Sequence, residues 1–138
     1  MAHKIQRIDY YYTQVRDLPG EAYRLLSILA QVGINLIAFT VIPIGKDSAQ
    51  LTLFPEDRRT MEAKAGQAGL KLDGPYPAIL VRGDDELGAL TEIHERLYRA
   101  GVNIFASNGI TDGSGSYSYL VYVRPEEYKI ASEALEIS

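Results

Sequence analysis

Few residues in this chain could do chemistry, and most of them resist an active-site reading. His94 has Glu92 and Glu95 close in sequence, but no second histidine stands at a spacing that would complete a metal site. Asp84, Asp85 and Glu86 form a run of three acids. Paired carboxylates can divide acid and base roles, yet acids at a helix start are explained by capping and by the helix dipole. Gly113-Ser114-Gly115 lacks the third glycine of a dinucleotide fingerprint and joins two strands rather than a strand and a helix. Gly45-Lys46 lacks the upstream glycine, the following Ser/Thr and the helix of a phosphate loop. Cysteine is absent, which excludes thiolate chemistry and disulfides and fits a reducing compartment. No nucleophile is visibly paired with a general base. The expectation is a protein that is not an enzyme and uses neither metal nor cofactor.

The elements around these residues follow from periodicity. Residues 8 to 15 are rich in β-formers and run into a Pro-Gly corner, so they read as a strand entering a turn. Asp17 is placed to cap the helix that follows. Leu25, Leu26, Ile28, Leu29 and Val32 recur at helical spacing, and Gly33 is its stop. Residues 34 to 43 and 49 to 54 read as a hairpin across the turn at 45 to 47. Pro55 and Glu56 open a second helix to about Ala68, closed by Gly69. The same order returns: strand 78 to 82, helix 87 to 100, strand 102 to 110, a turn at 112 to 115, strand 117 to 123, and a last helix from Pro125 to Leu135.

That return is a repeat at the level of residues. A shift of 68 lays Asp17 on Asp85, Gly20 on Gly88, Leu29 on Leu97, Gly33 on Gly101, Asn35 on Asn103, Ala38 on Ala106 and Ile42 on Ile110. A solenoid unit runs to roughly 20 to 50 residues, so this period marks a small domain. Two modules are expected, residues 1-74 and 75-138, each β-α-β-β-α with a closing strand. The second lacks that strand, because only Glu136, Ile137 and Ser138 follow its last helix. The amino-terminal segment from Lys4 to Ile8 is expected to pair into the vacant place. The rival is that the bare edge pairs with another chain.

The formal charge of −4 and a pI near 5.2 speak against general polyanion binding, which needs clustered Lys and Arg. The amino terminus has no apolar core of a secretory signal, and the longest greasy stretch, 34 to 44, falls far short of the ~20 residues that span a bilayer. The expectation is a cytoplasmic protein with neither a membrane nor a nucleic acid as partner.

The glycine corners opening a helix, the Gly-[Ile/Val]-Asn-[Leu/Ile] steps into a strand and the hairpins after them resemble the ACT domain, across nearly the whole chain. The resemblance implies an α+β fold of two side-by-side ferredoxin-like βαββαβ modules with antiparallel sheets. It also implies a regulatory protein that binds an amino acid or similar small metabolite where modules meet. Carried onto this chain, the ligand-binding residues would be Leu18, Pro19, Gly20 and Glu21 with Asn35 in one module. In the other they would be Glu86, Leu87, Gly88 and Ala89 with Asn103. A glycine at a helix start lets a ligand reach free N–H groups, where the dipole favours a carboxylate. An asparagine both donates and accepts, as a zwitterion requires. The copies differ: Glu86-Leu87 replaces Leu18-Pro19, and the second hairpin carries polar runs at Ser107-Asn-Gly109 and 112 to 116. Two sites, if present, are not expected to be equivalent.

The resemblance further implies a homodimer, with a biosynthetic enzyme as a possible partner. An alternative is a regulatory subunit that acts by protein contact and binds no ligand. The ten tyrosines raise a third reading, since aromatics on such a sheet can stack RNA bases. The acidic balance and the absence of Lys or Arg from 116 to 123 weigh against it. Instead, one tyrosine set is expected under the helices and another on the opposite sheet face, where a second subunit could cover it.

Overall fold

The computed structural model describes residues 3–137. Among the described residues six strands and four α-helices run in the order β1 (His3–Arg16), α1 (Glu21–Gln31), β2 (Leu36–Ile44), β3 (Ser48–Pro55), α2 (Arg58–Ala65), β4 (Asp73–Asp84), α3 (Thr91–Arg99), β5 (Ala106–Thr111), β6 (Ser116–Tyr122) and α4 (Tyr128–Ala134), with a 3-10 turn at Pro125–Glu127 before α4. Strand β3 pairs antiparallel with β1 and β2, and β6 pairs antiparallel with β4 and β5. The class is α+β. The chain divides into two compact units, one of residues Asp9–Tyr76 and one of the described residues through Ile8 together with those from Pro77 onward.

In the Asp9–Tyr76 unit the strand order is β2-β3-β1. Alternation along β1 sends Tyr11 toward the helices, where it shares a core with Leu25, Leu29, Leu51, Leu53 and Met61. Its neighbours Tyr10 and Tyr12 take the other face and meet the rings of Phe54 and Tyr76 at centroid distances of 5.3 to 5.7 Å.

The second unit sets the opening residues of β1 beside β4, followed by β6 and β5. Ile5 packs against its core of Ile79, Val81, Ile93, Leu97, Val121 and Val123. The Arg82 guanidinium donates to Gln6 Oε1 at 3.3 Å, and Arg7 lies 5.0 Å from the centre of the Tyr128 ring. Ile93 and Leu97 are fully buried, each worth roughly 1.5–3 kcal/mol removed from water. They recur at i and i+4, which is why α3 shows the sheet one apolar stripe.

All four helices end alike. The amides of Ile34, Leu70, Val102 and Ile137 donate back to the carbonyls of Leu29, Ala65, Leu97 and Ser132 at 2.8 to 3.0 Å, the 6→1 bond of a Schellman turn. Gly33 and Gly101 supply the left-handed residue after α1 and α3, at φ +81° and +74°. The repeated Gly-[Ile/Val] step therefore has a structural duty: glycine turns the chain and the apolar residue after it returns to the core.

Helix starts differ from the expectation. Asp17 does not cap α1; its amide donates to the Asp47 carbonyl at 2.8 Å, and the cap is Gly20, with no side-chain bond. Pro55 closes β3 instead of opening α2, whose cap is Asp57, accepting from the Arg59 amide at 3.0 Å. Helix α3 begins at Thr91, after turns over 87 to 90. The opposite-face tyrosines differ too. Tyr10 and Tyr122 are 3% and 6% exposed within the single chain, so neither awaits a second subunit for cover.

Candidate functional site

In the unit from Pro77 onward, the second glycine corner forms one wall of a cleft of about 430 Å3. Glu86, Gly88 and Ala89 line it, and Leu90 and Thr91 continue the wall into α3. The facing wall is the end of the edge strand β5, Gly109 to Thr111, and the floor includes Tyr117. The corner exists because Gly88 takes φ +75°, a conformation that costs a side-chain-bearing residue. Ala89 is buried and anchors the corner in the core. Leu87 is fully exposed and does not line the cleft.

The cleft mixes apolar residues, Ala89, Leu90 and Ile110, with the polar Asp85, Glu86, Thr91, Thr111 and Tyr117. Burial pushes the Tyr117 phenol above its ordinary pKa, and the carboxylates of Glu86, Asp84 and Glu92 raise it further. Behind Gly109, the ring of Tyr119 comes within 3.1 Å of where a Cβ would stand, and its hydroxyl lies 2.7 Å from His94 Nε2. This pair accounts for His94. Among the described residues no group of three His, Cys, Asp or Glu is placed to hold a metal.

The corresponding groove positions of the Asp9–Tyr76 unit have another character. The shift of 68 sets Tyr23, Leu26, Phe39, Val41 and Pro43 where the second unit has Thr91, His94, Ser107, Gly109 and Thr111. Of these, Thr91, Gly109 and Thr111 line the cleft, and tyrosine, valine and proline stand in their places in the first unit. At its corner Leu18, Pro19 and Gly20 are exposed, and Glu21 accepts from Arg24 Nε at 3.1 Å.

The asparagines are not beside the corners of their own units. Asn35 follows the carboxyl end of α1, and the corner precedes its amino end, with eleven helical residues between, roughly 16 Å of rise. Its side chain donates to Glu56 Oε2 at 3.0 Å and its carbonyl accepts from the Glu56 amide at 2.8 Å. Asn103 is likewise separated from Gly88 by α3 and is exposed. Gly109, Thr111, Tyr117 and Thr91 are cleft residues that the motifs did not name. The polar run after Asn103, where the two copies diverge, was the signal for the strand wall.

Neither a scan of family models nor a search of curated proteins matches this chain. Solved structures do. A protein of Bacteroides thetaiotaomicron superposes with a TM-score of 0.79 at 16% identity, over 96% of this chain and 88% of that one. The ligand-free regulatory subunit of aspartate kinase from Thermus thermophilus gives 0.59 at 16% identity, covering 98% and 93%. The aspartate kinase of Clostridium acetobutylicum, described as an allosteric enzyme, gives 0.57 at 18% identity, with 95% of this chain on 33% of that one. The likeness is one of fold. It shows an α+β fold shared with, among others, the regulatory subunit of aspartate kinase from Thermus thermophilus.

Proposed function

We propose that this chain is a non-catalytic regulatory protein of two ACT-like modules that binds an amino acid or similar small metabolite in the cleft at Gly88. The single observation that carries the reading is the cleft itself: a glycine corner and a helix start facing the polar end of an edge strand. Its volume lies in the range of small-molecule sites. The corner brings a ligand carboxylate to backbone N–H groups, and Glu86 with the threonine hydroxyls takes its ammonium group. The apolar counterpart at Tyr23, Leu26 and Val41 supports a ligand at only one of the two glycine corners, with the Leu18 to Glu21 corner serving assembly. Asn35 and Asn103 are proposed to serve a neighbouring module or the second chain of a cytoplasmic homodimer. A ligand that favours one packing of such modules shifts it by its differential affinity, typically about 1–3 kcal/mol.

The test is thermal unfolding against the common amino acids. A true ligand at a hundredfold excess over its Kd adds about 2.7 kcal/mol and raises Tm, and Gly88→Val removes that rise while the protein stays folded. A second reading is a regulatory subunit that works by contact with a biosynthetic enzyme and binds no ligand; the tie of Asn35 to Glu56, which occupies the amide of one candidate ligand-binding residue, favours it. A flat screen with folded protein selects this second reading.

A further inference from the structure

The ends of β4 and β6 carry a second depression, of about 470 Å3, that shares only Tyr117 with the cleft. Lys4, Arg82, Asp84, Asp112, Ser116 and Ser118 line it. Register explains the grouping: Arg82 stands opposite Ser118 and Asp84 opposite Ser116, so two charges and two hydroxyls share one face. The opposite charges are not spent on each other. Among the described residues neither Lys4 nor Asp84 enters an ion pair, and the side chain of Arg82 bonds only Gln6 Oε1. Asp112 is fixed by the turn, its Oδ1 accepting from the amides of Ser114 and Ser116 at 2.7 and 3.2 Å. Those bonds hold its carboxyl below the ordinary carboxylate range, so it stays anionic.

We propose that this depression is a second binding place, for a small zwitterion: its carboxylate meets Arg82 and Lys4, its ammonium group meets Asp84 and Asp112, and Ser116 and Ser118 bond between them. The charge count decides the class. Two cations and two carboxylates around one hollow match a ligand carrying both signs better than an anion or a cation alone, each of which leaves one pair uncompensated. The polar hairpin from 111 to 118 stands between this hollow and the cleft at Gly88 and contributes to both.

The test is amide NMR of the full chain titrated with glycine, β-alanine, γ-aminobutyrate, acetate and methylammonium. The expected result is movement of the Arg82, Asp84, Ser116 and Ser118 amides with at least one of the three zwitterions and less with acetate or methylammonium. Lys4→Ala with Arg82→Ala should weaken that response about tenfold, or 1.4 kcal/mol, while Gly88→Val leaves it in place. Both cations are exposed, so their removal spares the core. Silence on this face at millimolar zwitterion overturns the proposal, as does an equal response to acetate or a response indifferent to the double variant. Failure of the cleft reading has a different sign, because it silences the Gly88 and Ala89 amides instead.

Discussion

Gly109 lines the cleft without a side chain of its own. A Cβ there would stand 3.1 Å from Tyr119 Cδ1, tighter than most packed carbons, so Gly109→Ala asks the ring that meets His94 to give by a few tenths of an ångström. The expected cost is about 1–3 kcal/mol, read as a lower denaturant midpoint at unchanged m. A second residue-scale expectation concerns Tyr11, whose hydroxyl donates to Glu62 Oε2 at 2.7 Å. Burial, then that hydrogen bond and the Glu62 charge, raises the phenol well above its ordinary value of about 10. Below about pH 10 both folded and unfolded chains keep the proton and the contribution is fully present. Above it the unfolded chain releases the proton first, so stability falls as pH rises. Tyr11→Phe should cost about 1 kcal/mol at neutral pH and show a shallower alkaline loss, measured by unfolding between pH 8 and about 11.

At the scale of elements, the helix ends rank the glycines. Gly101 holds the left-handed turn after α3, and Gly101→Ala should destabilise by about 1 kcal/mol. Gly66, at the end of α2, has ordinary helical angles of φ −62° and ψ −39° and open space around it, so Gly66→Ala should be neutral or stabilise by about 0.4–1 kcal/mol. Equal effects of the two would refute the division. These stops were legible in the sequence because a glycine followed by an apolar residue after a helical stripe has few other uses. The starts were not. Asp17 has the right type and position for a cap, yet its amide is drawn to Asp47 and the β1 end, a nonlocal bond that no local pattern announces. The cleft divides the same way: Glu86, Gly88 and Ala89 were legible as a corner, whereas Gly109, Thr111 and Tyr117 reach it only through the register of β5 on β6. Burial of Tyr10 and Tyr122 was hidden for the same reason, since alternation tells which face a ring takes and not whether that face is covered.

For the whole molecule, chain order and compact units do not coincide, and this has a measurable consequence. The strand β1 runs as one piece from His3 to Arg16, but its residues through Ile8 belong with the unit from Pro77 onward. Ile5 packs on that unit's core and Gln6 accepts from Arg82, so a segment at the front of the chain closes a sheet built some 70 residues later. Deleting the chain through Ile8 should then uncover the edge of β4 and the core around Ile79 and Val81, while Tyr11, Leu51 and Leu53 keep their own core. Hydrogen exchange is the measurement: amides of β4, β6 and α3 should lose protection first in the truncated chain, and those of β3 and α1 should hold it longer. Adding the missing segment back as a peptide should restore protection in β4. Uniform loss in both units, or no loss in β4, would show that the opening strand is not what completes the second sheet.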